Sequence, residues 1–369
     1  MAEENNYLNI EKICEKLFKE NDFKIIYEVS NNGYVESLTK NLEKYLKEIK
    51  NISITYSFID SDIIHNIENL NKTLLDVITK YLKGITGEAY LDFKTGMDSL
   101  IFVAGNFRKK LKINHTQSFY RVRISENEIN KRDELFHIPF NKRELVNTQR
   151  YSIAGVPTLY LGSSVYCCWL EMGKPSLSQM HISRFQNVQE LDILDFTINY
   201  NNFIPNNHDN FNSDFNKGNE ELFLSYLLMY PLIMACSYIK QFDGKSFIVE
   251  YIIPNLLLQW VRNEKSNVDA IQYYSTKKEI SEHTKNLVLP PKFFDKKYCS
   301  NLVNKFVLTQ PTSWQLLDII DENLDKEYSN RVRNVTNIQD LIIKNYRCTK
   351  FYSFEKFLEK FELKKIDLN

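Results

Sequence analysis

Glycine is scarce in this sequence, with 10 residues in a chain of 369. No segment matches the GxGxxG pattern of dinucleotide-binding folds or the P-loop pattern of nucleotide triphosphatases. Both patterns need closely spaced glycines, because the backbone must wrap around a phosphate. The sequence therefore does not predict phosphate binding by a glycine-rich loop.

Cysteine motifs are absent as well. The six cysteines form no CxxC pair, and no histidine is close enough in sequence to complete a zinc pattern. Cys167 and Cys168 are adjacent, but on a helix they would point to different faces. We expect reduced, mostly buried thiols in a cytoplasmic protein, and no metal site. The acidic, polar N-terminus "MAEENNYLNIEK" does not resemble a signal peptide, which agrees with that location.

The chain has no excess of charge of either sign, since 47 basic residues balance 47 acidic ones. No overall field would attract nucleic acid or an anionic membrane, so neither partner is indicated. One long uncharged run occurs, "LFLSYLLMYPLIMACSYI" over residues 222–239, at the lower limit for a membrane span. Pro231 near its middle, and the serines and tyrosines that dilute it, favour a buried, kinked core helix instead.

The first part of the chain has helical periodicity. Apolar residues recur at helical spacing in three runs: Tyr7, Ile10, Ile13 and Leu17; Leu38, Leu42, Tyr45 and Ile49; and Leu70, Leu74, Leu75, Ile78 and Leu82. Asp60 or Ser61 is placed to cap the third. Because this part carries no cluster of reactive side chains, we predict that residues 1–115 form an all-helical N-terminal accessory domain.

From residue 116 onward, strand patterns alternate with helical ones. The predicted strands are "SFYRVRI", "TLYLG", "QELDILDF", "KSFIVEYIIP" and "VDAIQYYST". After the second strand, Gly162 and two serines supply turn and cap residues for a helix that ends near Glu171. Further helices are predicted for "NLLLQWVRN", "SWQLLDIIDENL" and "SFEKFLEKFELKK". These patterns predict an α+β domain over residues 116–369.

Three ordered motifs in this domain resemble the RES family, a bacterial family named for an arginine, a glutamate and a serine. The motifs are "FYRVR" with Arg121, "LYLGSSVYCCWLE" with Tyr160 and Glu171, and "VDAIQYYST" with Ser275. The sequence between the motifs, such as "LFHIPFNKRELVNTQRYSIAGVPTLYLG", is similar to the corresponding sequence of family members that have an N-terminal helical extension. The resemblance covers roughly residues 116–280.

The resemblance implies an ADP-ribosyltransferase-like fold that binds NAD. Family members typically cleave the nicotinamide–ribose bond of NAD by phosphorolysis or hydrolysis, with inorganic phosphate as co-substrate in the first case. Many act as toxins in toxin–antitoxin pairs or in phage defence. We therefore expect an antitoxin or regulatory protein that binds through the helical domain, or control by assembly into a homo-oligomer.

The candidate site residues have chemistry that fits such a reaction. Cleaving an N-glycosidic bond passes through an oxocarbenium-like state, which the carboxylate of Glu171 would stabilise. On a helix, Glu171 shares a stripe with Ser164, Cys167 and Cys168, and this small-residue stripe could floor a pocket. From the residues alone, an idle acid at an exposed helix end remains the alternative.

Arg121 is the candidate phosphate clamp, because a guanidinium can bind a diphosphate through two parallel hydrogen bonds. Arg123 lies on the same strand face and could take that role, or Arg121 could belong to an ordinary surface ion pair. Tyr160 could stack on the nicotinamide ribose or hydrogen-bond to it, or be a core tyrosine. Ser275 could position the attacking water or phosphate, or be an ordinary turn residue.

The chain departs from the family pattern at two points. Some members have an aromatic residue directly after the arginine of "YR", where this chain has Val122. Many members have a "GRWN"-like turn where this chain has "QRYS", residues 149–152. Arg150 keeps the basic residue and Tyr151 keeps the aromatic one, so we retain both as candidate NAD-binding residues.

Two other activities stay open. A member of the same family could transfer ADP-ribose from NAD to a protein target. A different class is an RNA nuclease or binding module in the helical part, where such domains use an arginine and a histidine a few residues apart on a helix; Arg108 and His115 are the candidates here.

Overall fold

The computed structural model describes residues 9–113, 117–203, 220–242, 244–263, 266–277, 280–294, 297–316 and 345–366. These residues pack into two units. The first comprises the described parts of Met1–Lys109, Thr148–Tyr151 and Leu194–Asn267, and the second those of Lys110–Asn147, Ser152–Ile193 and Val268–Asn369. The division by packing thus differs from the predicted boundary after residue 115, because the described parts of residues 194–267 pack with the N-terminal helices.

The first unit is helical. After a helical segment over residues 9–20 it contains α1 (Tyr34–Ser53), α2 (Ser61–Leu82), α3 (Thr86–Val103), α5 (Glu220–Cys236) and α6 (Ile252–Arg262). The second predicted run lies on the buried face of α1, and Leu70, Leu74 and Ile78 of the third lie on the buried face of α2, whereas Leu75 is partly exposed and Leu82 is exposed. The side chain of Asp60 accepts a hydrogen bond from Ile63 N at 2.9 Å and caps α2, as predicted.

Helix α5 holds most of the long uncharged run. It continues through Pro231, and nearly every residue from Leu222 to Cys236 is buried. Tyrosine hydroxyls from the N-terminal part reach it: Tyr45 Oη donates to Leu227 O and Tyr34 Oη to Ala235 O, both at 2.9 Å. A tyrosine suits this place because its ring is apolar while its hydroxyl still finds an acceptor. Among the described helices, none is long and apolar enough to cross a membrane.

One predicted strand is wrong. The segment "KSFIVEYIIP" forms a 3-10 turn at Val249–Tyr251 and then enters α6 at Ile252, instead of forming a strand. Its β-branched residues suggested a strand, but they belong to a helix whose buried face continues through Leu256, Leu257 and Trp260. Pro254 is tolerated because it lies in the first helical turn, where its missing N–H has no partner to lose.

The second unit is built on a curled sheet with helices, so the molecule is of the mixed α+β class. The described strands are β1 (Arg108–Leu111), β2 (Phe119–Ile124), β3 (Leu159–Gly162), β4 (Met180–Asn187), β5 (Leu191–Asp195), β6 (Ala270–Tyr274), β7 (Lys285–Leu289), β8 (Phe306–Leu308) and β9 (Thr312–Ser313). Their order is β1-β5-β6-β7-β3-β2-β4-β8, with β9 also paired to β4. The chain passes between the units within β1 and β5.

The helices of this unit are short: α4 (Val165–Glu171), α7 (Ser300–Lys305) and α8 (Lys350–Leu358). The predicted helix "SFEKFLEKFELKK" corresponds to the second half of α8, whereas "SWQLLDIIDENL" lies mostly outside the described residues. Strands β2, β3, β5 and β6 form where strands were predicted. Strands β1, β4, β7, β8 and β9 were not predicted, and β1 lies within residues 1–115, which were predicted to be all-helical.

Two hydrophobic clusters cover the two faces of this sheet. Phe119 and Leu161 belong to one, and Tyr120 and Val122 belong to the other together with α4 and α8. The alternation predicted for "SFYRVRI" is therefore confirmed. All six cysteines lie among the described residues; five are buried, Cys348 is exposed, and none forms a disulfide.

Candidate active site

Strands β2 and β3 separate at the residues predicted for catalysis. Strand β2 pairs with β4 through six residues, but its register with β3 consists of the single pair Tyr120 and Gly162. Beyond that pair, the side chain of Arg121 reaches across, and its Nη1 donates to the carbonyl oxygen of Tyr160 at 2.9 Å. The guanidinium thus lies in the opening between β2 and β3, where backbone hydrogen bonds between the two strands would otherwise continue.

Arg121 is a cation without a counter-ion in the part of the chain that is described. It is half-buried, and among the described residues no carboxylate forms an ion pair with it. Burial, with a smaller contribution from the charge of Arg123, lowers the pKa of its guanidinium to about 10, so Arg121 stays charged at neutral pH. A half-buried guanidinium with donors to spare is suited to an anionic ligand such as a phosphate.

Arg123 is less suited to that role. It lies on the same face of β2 but is exposed, and its Nη1 donates to Glu134 O at 3.1 Å. An exposed guanidinium keeps its water and its rotamer freedom, so it gives an anion less binding energy than a half-buried one.

Glu171 is the last residue of α4. Ser164 caps this helix as predicted: its Oγ accepts a hydrogen bond from Cys167 N at 2.8 Å. The carboxylate of Glu171 is exposed, and its Oε1 accepts a hydrogen bond from Asn286 Nδ2 at 2.7 Å. The acid at the helix end is therefore held in one place by a neighbouring strand.

Asn286 is a site residue that the sequence did not reveal. It lies in β7, is 5% exposed, and pairs in register with Gly162 of β3 and Tyr273 of β6. Its Oδ1 also lies 3.4 Å from Cys167 Sγ, which can donate to it. A polar residue in a buried strand often marks a functional or structural hydrogen-bond network. The segment "KNLVL" was not recognised as a strand, so Asn286 could not be singled out in this way.

The small-residue stripe of α4 does not floor a pocket, in contrast to the expectation. Cys167 and Cys168 are buried against the strands, and Cys168 Sγ donates to Tyr120 O at 3.2 Å. A Cβ on Gly162 would lie 2.8 Å from Cys168 Sγ, so the helix packs directly on a glycine. Burial raises the pKa of Cys168 to about 12, which keeps it a protonated, unreactive thiol.

Tyr160 and Ser275 lie on strands that neighbour these residues. Tyr160 is half-buried in β3, two residues before Gly162, and therefore points to the face on which α4 packs. Ser275 directly follows β6 and is fully buried; its N–H donates to Thr284 O at 2.8 Å, and its Oγ accepts from Lys277 N at 3.2 Å. The structure thus gives Ser275 the geometry of a turn residue.

Arg150 and Tyr151 are not grouped with these residues. Both belong to the first unit and are buried there. Arg150 donates from Nη1 to Cys236 O at 2.9 Å and from Nη2 to Tyr238 O at 2.7 Å, at the C-terminus of α5. An arginine at this position satisfies the last carbonyls of a helix and complements its dipole. This is a structural role, and NAD binding by either residue stays an untested prediction.

The predicted nuclease pair does not share a helix in the part of the chain that is described. Arg108 is the first residue of β1, and His115 lies outside the described residues. Within the described ranges, no three His, Cys, Asp or Glu side chains are close enough to hold a metal ion.

The four residues of the predicted site in this unit belong to neighbouring elements of the sheet, but the alternation of β2 puts Arg121 on the face of Phe119, opposite to the face on which α4 packs. In the order β6, β7, β3, β2 they are Ser275 after the first strand, Glu171 held by the second through Asn286, Tyr160 on the third and Arg121 on the fourth. Arg121 contacts the backbone carbonyl of Tyr160, Ser275 directly follows the paired residue Tyr274, and Glu171 is linked to the paired residue Asn286 only through its side chain.

Comparison with known proteins gives one relative. The chain is 33% identical over 288 residues to "Putative toxin YopC" of Bacillus subtilis (strain 168). The similarity covers 74% of this chain but only 64% of that protein, so the chain spans less than two thirds of its relative. No protein-family model matches the sequence, and no solved structure matches it.

Proposed function

We propose that the protein has an ADP-ribosyltransferase-like catalytic unit that cleaves the nicotinamide–ribose bond of NAD. The observation that carries the proposal is that neighbouring elements of one sheet bear an arginine with no carboxylate partner among the described residues and a glutamate held by an amide. NAD needs both features, since it has a dianionic diphosphate next to a ribose that becomes positively charged as nicotinamide leaves.

In this mechanism Arg121 binds the diphosphate and places the nicotinamide ribose near the end of α4. Tyr160 supports the ribose by stacking or by a hydrogen bond. The bond between the ribose C1 and the nicotinamide nitrogen breaks, and its electron pair leaves with nicotinamide. The carboxylate of Glu171 stabilises the cation that forms, because a negative charge fixed in place attracts the positive charge as it develops.

The attacking group decides the class of reaction. Water attack gives ADP-ribose, nicotinamide and a proton, whereas phosphate attack gives ADP-ribose 1″-phosphate and nicotinamide. Ser275 is the candidate for holding the attacking group. Transfer to a protein side chain would use the same first step, so it is an outcome of the same experiment.

The name of the relative supports a toxin role. A protein that destroys cellular NAD would harm its own cell, so we propose a cytoplasmic toxin that a partner or self-assembly restrains. The helical unit is the candidate surface for an antitoxin or regulatory protein.

The products test this proposal. Purified protein is incubated with NAD in buffers with and without inorganic phosphate, and the products are separated by chromatography. ADP-ribose in both buffers indicates hydrolysis, and ADP-ribose 1″-phosphate only with phosphate indicates phosphorolysis. Intact NAD in both buffers, and in the presence of cell lysate, would contradict the proposal.

A further inference from the structure

The carboxylate of Glu171 is held by a neutral group. Within the described part of the chain, no lysine or arginine forms an ion pair with it, and its one recorded side-chain partner is the amide of Asn286. This distinction matters for the proposed reaction. A cationic partner would also fix the carboxylate, but it would cancel much of the field that the forming sugar cation must feel.

Without that hydrogen bond, Glu171 would be poorly fixed. It is exposed and stands at the end of a seven-residue helix, and a glutamate side chain in such a place samples several rotamers. Asn286, by contrast, is 5% exposed within a paired strand. The rigid partner therefore sets the position of the mobile one.

The orientation of the Asn286 amide is itself determined. Its two ends differ chemically, because Oδ1 only accepts hydrogen bonds and Nδ2 only donates them. Cys167 Sγ lies 3.4 Å from Oδ1 and also 3.4 Å from Lys285 O, and its thiol is kept protonated because burial raises its pKa well above the usual value. When the thiol donates to Oδ1, the amino group faces Glu171, whose oxygen accepts its hydrogen bond.

We propose that Asn286 is the positioning residue for Glu171, and that Cys167 sets the direction in which the Asn286 amide points. The inference rests on the proposed NAD cleavage. It adds a chain from Cys167 through Asn286 to Glu171, in which the protein orients the carboxylate without neutralising it.

The kinetic test compares four substitutions for nicotinamide release. Asn286→Asp keeps the shape but replaces the donor with an acceptor, and Asn286→Ala removes the amide. We expect both to lower kcat by roughly 10- to 100-fold while KM for NAD stays within about twofold, because an orienting contact acts on the transition state. Cys167→Ser retains a donor and should keep more of kcat than Cys167→Val, which has none.

Asn187 supplies the matched control. It is a buried asparagine of β4 whose Nδ2 donates to the backbone carbonyls of Lys112 and Gln189. Asn187→Asp should lower thermal stability but leave kcat per folded molecule unchanged. If the Asn286 variants also lost only stability, or if KM rose as much as kcat fell, the positioning role would be wrong. Equal kcat for Cys167→Ser and Cys167→Val would show that Cys167 does not orient the Asn286 amide.

A second arm does not depend on NAD. Crystal structures of the wild type and of Asn286→Asp at the same pH report the Glu171 carboxylate directly. We expect it to be ordered against Nδ2 in the wild type and displaced in the variant, and an unchanged carboxylate would overturn the inference. If the wild type fails to cleave NAD, the kinetic arm reports that failure of the proposed function, and the crystals still decide on Asn286.

Discussion

Arg121 and Arg123 show how burial separates two identical side chains on one strand. Both lie on the same face of β2, but Arg121 is half-buried in the opening beside β3, and Arg123 is exposed. Arg121 also pays less conformational entropy on binding a ligand, because its hydrogen bond to Tyr160 O already restricts it. Sequence alternation places both residues on one face but gives no measure of their depth.

Substituting Arg121 tests the phosphate clamp. Arg121→Lys keeps the charge but loses the planar pair of donors, so we expect kcat/KM for NAD to fall by roughly tenfold or more, mainly through KM. Arg123→Lys is the matched control and should change kcat/KM by less than about threefold. Initial-rate kinetics over a range of NAD concentrations measure both. A larger effect at Arg123 than at Arg121 would reverse the assignment.

Glu355 is a buried acid that controls stability rather than chemistry. Its Oε1 accepts hydrogen bonds from Val165 N at 2.7 Å and from the hydroxyl of Tyr346 at 2.5 Å. Burial, only partly offset by these hydrogen bonds, raises the pKa of its carboxyl from 4.5 to about 7. The folded protein therefore binds this proton more tightly than the unfolded chain does.

The pH dependence follows from that direction. The contribution of Glu355 is fully present below about pH 4.5 and is lost as pH rises to about 7, a change on the order of 3 kcal/mol in the free energy of unfolding. Glu355→Gln stays neutral and keeps an acceptor oxygen. We expect its melting temperature to match the wild type near pH 4.5 and to exceed it increasingly up to pH 7. Glu362→Gln, at an exposed acid paired with Lys364, should give no such trend; parallel curves for Glu355→Gln would refute this account.

At the scale of elements, the strand–turn–helix unit β3–α4 was predictable and its packing was not. "TLYLG" followed by serines gave the strand, the turn and the Ser164 cap, because these signals are local. The contact of α4 with Asn286 depends on β7, which follows more than 110 residues later in the chain. Long-range pairing leaves no local signal, which is also why β4 escaped prediction although every residue in it is buried.

The packing of α4 on β3 leaves no room for a side chain at Gly162. An added Cβ would lie 2.8 Å from Cys168 Sγ and 3.1 Å from Ser164 O, so α4 would have to shift. We expect Gly162→Ala to cost about 1–3 kcal/mol of folding free energy and to lower NAD cleavage by moving Glu171. Adding Cys168→Ala should restore part of the stability, since it removes the nearest atom. Urea unfolding of the single and double variants measures this coupling.

Gly87 provides the control for that substitution. A Cβ there meets nothing within 4 Å, and its φ is not positive. Gly87→Ala should therefore leave stability unchanged or slightly raised, because alanine favours a helix. If Gly162→Ala were equally harmless, the close packing of α4 on β3 would not be a constraint.

At the scale of the molecule, the helical unit and the sheet unit are each built from separate stretches of the chain. The sequence indicated a helical part and an α+β part, and both classes are present. It could not show that the described parts of residues 194–267 belong with the N-terminal helices. The sequence of α5 predicts a buried apolar helix but does not indicate which helices it packs against. Tyrosines from residues 27–45 form hydrogen bonds to α5. Their positions in the sequence do not indicate that α5 is their partner.

A truncated chain tests this organisation. A protein that starts at residue 116 would contain the whole resemblance to the RES family but would expose α5, which is almost entirely buried in the full chain. We expect it to be insoluble, because an exposed apolar helix of that length drives aggregation. Coexpression with residues 1–115 should restore soluble protein. A soluble, monomeric 116–369 chain would show that the two parts fold independently.

The central claim is that Glu171 stabilises the sugar cation formed from NAD, and the rate of nicotinamide release tests it most directly. Wild type, Glu171→Gln and the exposed control Glu190→Gln are compared at saturating NAD, after equal folding has been verified by circular dichroism. We predict release by the wild type and by Glu190→Gln, and a kcat lower by about 100-fold for Glu171→Gln, on the scale of losing one electrostatic stabiliser. No release by the wild type, or equal rates for wild type and Glu171→Gln, would contradict the account.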